Sequence, residues 1–539
     1  MYELLQDKAA REFLTTSASI YERLTDRVLS LHRGGHGEQA LKWIQLTANF
    51  AWLFHPARFA DGKIENIALE IGRELESPQQ RSADISTNES DHSDQRRVLH
   101  VATGISGIGG HTRLISNWME NDGASRHSLL LVSQRDPVPE WVRLAAEASG
   151  GTITSLPNDL PLLEKAVRLR ALARAQADIV VLHQHPDDVV PVVAFAAEGG
   201  PPVVIMNHAD HVFWLGSSVA DVVANVREFG KRLCEERRFA RHSMLLPIPL
   251  GAVPPNAARS ETRSRLGFGE SEVVMLSVGS SYKYTPTKTH HFFRTVRKTL
   301  ERNKRAHLYL VGVAESEDLK HVKEFRHERL HLLGVVPDPT PYYQAADLYL
   351  EGFPYGSMTA LLEAIMTGVC PVLMYKPIPQ ADMSEDVGLQ EIVKGAGSEQ
   401  EYVEQVSALI ADEDSRKKLS EQVAAKVISS HRGEIWREYL QRIYEQLESK
   451  THESAMIPES VRSEDLDDLG LSAFALTRQK GPLLQTVVNQ NFNRLAVGDI
   501  MWLLFLARTM RDGKFTYKEN SIWGGLLKAK ALKETGANY

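Results

Sequence analysis

The sequence predicts an α/β chain in which two doubly wound parallel-sheet halves face each other across a cleft, with a helical extension at each end. Three observations carry this reading. Short β-rich runs alternate with helical stretches from Val98 to Leu250, the pattern of βαβ units covered on both faces. The alternation stops at Leu246-Pro247-Ile248-Pro249-Leu250-Gly251 and starts afresh beyond it. The two flanks lack it, and their apolar residues recur at helical spacing.

Residues 1–76 read as a helical region, with apolar positions three and four apart in the stretch Ala40–Trp52 and breaks at Gly34-Gly35 and Pro56. Residues 77–97 hold almost no apolar side chain and read as a linker. Residues 98–251 form the first α/β domain, with strands expected at Val98–Ala102, Ser128–Ser133, Ile179–Leu182 and Val203–Met206 and a helix from about Thr112. Residues 252–450 form the second. Its strands are expected at Val273–Val278, His307–Val311, His331–Leu333, Leu348–Leu350 and Cys370–Met374, with helices at Thr289–Arg302, Met358–Met366 and over 400–450. Residues 451–539 read as a helical extension.

Composition narrows the function. With 539 residues the chain exceeds one ordinary domain. Its 43% apolar and 24% charged residues exclude a largely disordered chain and a coiled-coil rod. Net charge is −7, so no overall basic balance points to nucleic acid. Two cysteines, Cys234 and Cys370, exclude a disulfide framework and fit a reducing, cytoplasmic setting. Charges begin at the third residue, which speaks against a signal peptide. The longest apolar runs, Val189–Ala197 and Ile500–Ala507, fall short of a bilayer span and leave room only for a peripheral membrane contact.

Ligands of open α/β sheets lie at the carboxyl ends of the strands, so the loops after strands hold the candidates. After the first strand comes Gly104-Ile105-Ser106-Gly107-Ile108-Gly109-Gly110-His111-Thr112-Arg113, a glycine loop opening a helix. It is not G-x-G-x-x-G, because Thr112 holds the last glycine position. After the first strand of the second half comes Gly279-Ser280-Ser281-Tyr282-Lys283, where a lysine could neutralise a diphosphate and serines could donate hydrogen bonds. Gly352-Phe353-Pro354-Tyr355-Gly356-Ser357-Met358-Thr359 then leads into a helix whose start favours an anion. Glu363 follows one turn after Thr359 on the same face, where its carboxylate can accept from a ribose diol. Two histidine clusters follow strands of the first half: His183-Gln184-His185-Pro186-Asp187-Asp188 and Asn207-His208-Ala209-Asp210-His211. The first resembles the H-x-H-x-D-H zinc motif of metallo-β-lactamase-like hydrolases, with Asp188 in the last histidine's place. A histidine beside an aspartate can instead serve as a general base, and strand-end capping is the plainer alternative.

These segments, in this order, resemble a glycosyltransferase of the GT-B fold, two Rossmann-like domains facing a cleft. The stretch Leu330–Val372, LHLLGVVPDPTPYYQAADLYLEGFPYGSMTALLEAIMTGVCPV, resembles the donor-domain signature of family-4-type glycosyltransferases, including Val336 in its G-x-V-P. Gly109-Gly110-His111-Thr112-Arg113 resembles the acceptor-domain glycine loop, and Asp178–Pro186 the strand and histidine turn that follow. The resemblance covers roughly residues 97–450. Tyr355 stands where family-4 enzymes usually carry the first of two glutamates, and Glu363 matches the second. The loop Phe353–Thr359 and the Lys283 loop are instead similar to those of O-GlcNAc transferases and bacterial adhesin N-glucosyltransferases, which glycosylate proteins.

The resemblance implies a transferase moving a sugar from a nucleotide-sugar, a UDP-sugar by family weight, to a protein or cell-surface glycan. Gly279, Ser280, Ser281, Lys283, Val336, Tyr355, Gly356, Ser357, Met358, Thr359 and Glu363 would bind the donor. Gly109, Gly110, His111, His183 and His185 would form the acceptor-side loops. His208 or His211 would be the base, oriented by Asp210. No metal or other cofactor is expected, because the lysine and the helix dipole supply the charge. The alternatives are a non-catalytic nucleotide-binding scaffold of the same fold and, third, a zinc hydrolase.

Overall fold

The chain begins with α1 (Lys8–Arg33), α2 (Gly37–Phe54) and α3 (Gly62–Glu74), the last capped by Asp61, whose carboxylate accepts from Lys63 N. The computed structural model describes residues 8–75, 95–107, 109–252, 259–286, 290–315, 317, 320–375, 387–459, 483–491 and 495–509. Most of the expected linker, residues 77–94, lies outside the described residues.

The first sheet then builds as β1 (Arg97–Ala102), α4 (Gly110–Asn121), β2 (Arg126–Leu131), α5 (Glu140–Ala148), β3 (Ile153–Ser155), α6 (Leu162–Gln176), β4 (Ile179–His183), α7 (Val190–Ala194), β5 (Val203–Asn207), β6 (Val222–Asn225), α8 (Glu228–Arg237) and β7 (Ser243–Leu245). All pairings are parallel, in the order β3-β2-β1-β4-β5-β6-β7. The second domain runs α9 (Arg259–Leu266), β8 (Val273–Val278), α10 (Phe292–Arg302), β9 (Ala306–Val311), α11 (Lys320–Lys323), β10 (Leu330–Gly334), α12 (Thr340–Ala345), β11 (Leu348–Leu350), α13 (Met358–Met366) and β12 (Cys370–Val372). Its sheet is also parallel, ordered β10-β9-β8-β11-β12. Both orders reverse direction beside the first strand, between β1 and β4 and between β8 and β11. Such reversal points open a crevice at the strand ends.

Helices α14 (Glu399–Ala411), α15 (Glu413–His431) and α16 (Gly433–Leu447) follow, then α17 (Leu483–Asn491) and α18 (Val497–Thr509). The expected strands are all present. The short β3, β6 and β7 are additional, being three or four residues long and too brief to show a pattern. The helix expected from Thr289 starts at Phe292, where the His291 ring accepts from Arg294 N.

Alternate residues of the first sheet feed two cores. Leu99, Val101, Val180, Leu182, Val203 and Ile205 join α6, α7 and the amino-terminal helices. Val98, Val181, Val204 and Met206 face the other way, onto Trp118 of α4 and Trp436 of α16. The carboxyl-terminal part returns to the first domain. His452 Nδ1 meets Asp221 Oδ2 at 2.7 Å, and Asn66 Nδ2 donates to Ile457 O at 2.9 Å. Trp502 packs edge-on against Trp43 at 5.0 Å, and Trp43 Nε1 donates to Asp499 at 3.0 Å. Among the described residues no helix is long and apolar enough to cross a membrane.

Arg238 ties the amino-terminal region to the sheet edge. Fully buried, it donates to the carbonyls of Phe59 (2.5 Å), Asp210 (2.8 Å) and Val212 (2.6 Å) and stacks over Trp214 at 4.3 Å. Arg238→Met keeps the bulk but strands three buried acceptors, each worth about 1–3 kcal/mol. Urea unfolding should show a loss of about 3 kcal/mol or more; a loss under about 1 kcal/mol would show that the clasp contributes little.

Candidate functional site

The glycine loop after β1 and the loop after β11 meet. Gly109, with φ +119°, precedes the first turn of α4, and an added Cβ on Gly110 would lie 2.6 Å from Thr359 Oγ1 in the first turn of α13. No side chain caps either helix start. Two helix N-termini therefore point their spare N–H groups into the space between the domains, a setting suited to an anion.

Lys283 lies in a turn after β8, and its Nζ donates to Gly356 O at 2.6 Å. Gly279 has no room for a side chain, because a Cβ would come within 2.9 Å of Ser357 Oγ and 3.0 Å of Lys283 Cδ. So Gly279, Lys283, Gly356, Ser357 and Thr359 come together at the reversal point of the second sheet. Ser280 and Ser281 open the same turn, and Met358 begins α13. Tyr355 is buried beneath the loop, its N–H donating to Lys283 O at 3.2 Å. Val336 packs at the edge of the core beyond β10.

Glu363 projects from α13 towards the first domain. Its Oε1 accepts from Arg113 of α4 at 2.8 Å and its Oε2 from Tyr343 at 3.4 Å. Burial raises its pKa, and Arg113 opposes that rise. The carboxylate expected to hold a ribose thus holds an arginine from across the cleft.

Glu351 directly follows β11. It is buried, one oxygen accepts from Ser357 N, and the other has no hydrogen-bond partner among the described residues. Burial pushes its pKa up to about 7 against the pull of nearby Lys283.

On the first domain, His183, His111 and His208 cluster at the edge of the sheet. His183 Nδ1 meets His208 Nε2 at 2.9 Å, His111 Nε2 donates to His183 O at 3.0 Å, and the His111 and His208 rings lie 4.5 Å apart. His185 faces His111 at 6.5 Å and Trp52 of α2 at 6.1 Å, so the helical region reaches this edge. Burial lowers the pKa of His111 to about 4 and holds those of His183 and His208 well below the ordinary imidazole value.

Asp210 bonds to Arg227 and His211. Arg227 grips its carboxylate at 2.6 and 2.7 Å, and His211 Nδ1 lies 3.3 Å from it. Burial would raise the Asp210 pKa, but Arg227 more than offsets this and holds it far below the carboxylate range. The aspartates of the first histidine cluster are occupied too. Asp188 accepts from Thr103 Oγ1 at 2.6 Å and Val190 N at 3.0 Å, and Asp187 from Asn49 at 3.3 Å. Among the described residues no group of three His, Cys, Asp or Glu could hold a metal ion.

Sequence reading also passed over His100 and His127, which continue the histidine cluster into the sheet: His183 Nε2 meets His100 Nδ1 at 2.9 Å, and His100 Nε2 meets His127 Nδ1 at 3.0 Å. The available signal was a histidine in each of three expected strands or strand ends, but their register is set by pairing.

Residues 272–412 match the family model described as Glycosyl transferases group 1. No curated protein matches the sequence. Among solved structures, HepE from Anabaena in complex with UDP and glucose is 14% identical, with a TM-score of 0.50, covering 66% of this chain and 100% of its own. A glycosyltransferase from Rickettsia africae is 11% identical over 66% of this chain and 100% of its own, TM-score 0.49. An O-GlcNAc transferase mutant from Thermobaculum terrenum is 16% identical over 85% of each chain, TM-score 0.48. Residues 272–412 thus form a glycosyl transferases group 1 domain, and the two parallel sheets share the GT-B fold of HepE.

Glu351 gives the site a pH signature. Its folded pKa, about 7, lies above the ordinary 4.5, so the native chain keeps a proton that the unfolded chain has lost. Its contribution to stability therefore falls as pH rises from about 5 to 7.5. Glu351→Gln still accepts from Ser357 N but cannot ionise. Its melting temperature relative to the parent should rise between pH 5 and pH 8, by up to the equivalent of about 3 kcal/mol. A pH-independent difference would place the proton elsewhere.

Proposed function

We propose that the protein transfers a sugar from a UDP-sugar to a protein or glycan acceptor without a bound metal. The carrying observation is the meeting of the α4 and α13 N-termini beside Lys283, where both sheets reverse order. A diphosphate leaving group gains negative charge as the glycosidic bond breaks, and preorganised N–H groups with one ammonium would stabilise it there. The UDP bound to HepE, a structure of like fold, favours uridine. Donor binding would swing Arg113 off Glu363, freeing the carboxylate for the ribose hydroxyls.

In an inverting reaction the acceptor hydroxyl must lose a proton. His208 suits that task better than His211, which is tied to the Asp210–Arg227 pair. Trp52 beside His185 gives the helical region an aromatic edge towards the acceptor. Two buried, unpaired cysteines support a reducing, intracellular setting. A second reading, a nucleotide-binding protein that transfers nothing, draws on the Arg113–Glu363 pair, which already fills the ribose position.

A thermal-shift panel of UDP, GDP, ADP and dTDP with their sugars, with and without EDTA, tests the reading, because a ligand of the native state raises apparent stability. A selective shift with UDP compounds, indifferent to EDTA, is expected. Shifts with no nucleotide would overturn the reading, and UDP binding with no sugar turnover would leave the second one. Lys283→Ala should cut sugar turnover by about 100-fold or more with the melting temperature kept; near-normal turnover would remove the lysine from the leaving-group site. Glu363→Ala should chiefly weaken UDP binding, by about tenfold, and unchanged affinity in calorimetry would exclude a ribose contact.

A further inference from the structure

Four imidazoles cross the interior of the first sheet in single file. His127 on β2, His100 on β1, His183 on β4 and His208 just after β5 are joined nose to tail at 3.0, 2.9 and 2.9 Å. The register explains the line. His100 pairs with Leu129 and with Val181, so His127 lies two residues before its neighbour on one side and His183 two residues beyond on the other. Side chains two apart share a sheet face. The histidines thus climb one face diagonally, from the interior to the carboxyl edge where the domains meet. Trp118 covers the middle, 5.5 Å from His100 and 6.0 Å from His183, and keeps water out.

The far end fixes the direction of every bond. His127 Nε2 lies 3.0 Å from the Asp122 carbonyl, which can only accept, so this nitrogen carries the proton. His127 Nδ1 must then accept from His100 Nε2–H, His100 Nδ1 from His183 Nε2–H, and His183 Nδ1 from His208 Nε2–H. That leaves one lone pair in the line without a protein partner among the described residues, on His208 Nδ1 at the cleft. The far end also holds a counter-charge. The Asp122 carboxylate is 3.4 Å from His127 Nε2 and accepts from Tyr444 at 2.6 Å. Burial pushes the Asp122 pKa up, but bonds from His127, Tyr444 and Ser125 more than offset this and keep it ionised. Arg96 stacks on Tyr444 at 4.2 Å. Asp122 and Arg96 border a surface cavity of about 510 Å³, with Glu434, Glu438 and Glu445 on its wall.

We propose that this line is a directed proton relay that accepts the acceptor's proton at His208 Nδ1 and delivers the positive charge to His127, beside the Asp122 carboxylate. The proposal rests on the transferase reading above for the origin of the proton. As the acceptor oxygen bonds to the sugar C1 and the C1–O bond to UDP breaks with its electron pair, the acceptor O–H proton passes to His208 Nδ1. His208 gives its Nε2 proton to His183 Nδ1, His183 its Nε2 proton to His100 Nδ1, and His100 its Nε2 proton to His127 Nδ1. His127 ends as imidazolium. When the products leave, the protons step back and His208 Nδ1 releases one to water. The relay keeps a cation from forming at His208, where the burial that depresses its pKa, with His111 and His185 close by, opposes one. His127 acts at a distance and is a positioning residue, as are His100 and His183.

Long-range 15N–1H spectra of the 15N-histidine-labelled full chain, titrated from pH 8 to pH 4, test the relay without any substrate. At pH 8 all four rings should be neutral Nε2–H tautomers. The first proton taken up should turn His127 into imidazolium and switch His100, His183 and His208 together to Nδ1–H. Protonation confined to His208, or an Nδ1–H tautomer on any of the three at pH 8, would overturn the proposal. His100→Asn breaks the line. With UDP-glucose as probe its turnover should fall about 100-fold, and the acid limb of its pH profile should move. An unchanged profile would also overturn the relay. Tautomer switching without any sugar turnover would remove the transferase reading alone, and turnover without switching would remove the relay alone.

Discussion

A parallel sheet sends every strand's carboxyl end, and the loop after it, to one edge, and the arrangement of this protein depends on two such edges meeting. The contact is tight. Gly110 of one domain lies against Thr359 of the other with no space for a methyl group between them. Bringing two helix starts this close gathers positive electrostatic potential in one place. The glycines at 110 and 279 make the approach sterically feasible, and Lys283 adds the one full charge in the first turn after β8.

Around that meeting point charge is handled by burial and pairing. Glu351 sits beneath the loop after β11 with one oxygen on Ser357 N and the other without a hydrogen-bond partner among the described residues, which favours its protonated form near neutral pH. Asp210 is buried as deeply but remains an anion, because a bidentate guanidinium compensates it. The imidazole line is a third solution. Each ring along it meets the next through a ring nitrogen, so burying these rings costs little where the nitrogens are partnered. The same fold thus keeps one carboxyl neutral, one ionised, and a set of bases uncharged within a short distance of the cleft.

Much of this was legible in the sequence. Val98–Ala102 and Val273–Val278 are largely apolar runs before glycine loops, broken only by His100 and Ser277, and such runs announce parallel strands and their ligand edge. Lys283 and the Phe353–Thr359 loop could be paired because both follow strands that begin or flank a sheet's reversal. The histidine line was not legible: His100, His127 and His183 are 27 to 83 residues apart, and only strand order and register make them neighbours. Asp210 beside His211 looked like an orienting carboxylate. Arg227, 17 residues on, takes most of its hydrogen-bonding capacity, a contact made only when β6 and α8 fold back. Arg113 was in view as part of the glycine loop, yet its partner Glu363 is 250 residues away across the cleft.

The chain starts on the first domain and comes back to it. Trp436 donates to Pro247 O and the His431 ring meets Ile248 O, so the outgoing and returning segments cross side by side, with Gly433 in a left-handed conformation at the return. In mechanical terms the second α/β domain is an insertion held by two adjacent threads. Such an attachment resists sliding and twisting but yields to rocking about the line through both threads. Any movement that separated Gly110 from Thr359 would then be a swing about that line, which preserves the alignment of the two domains.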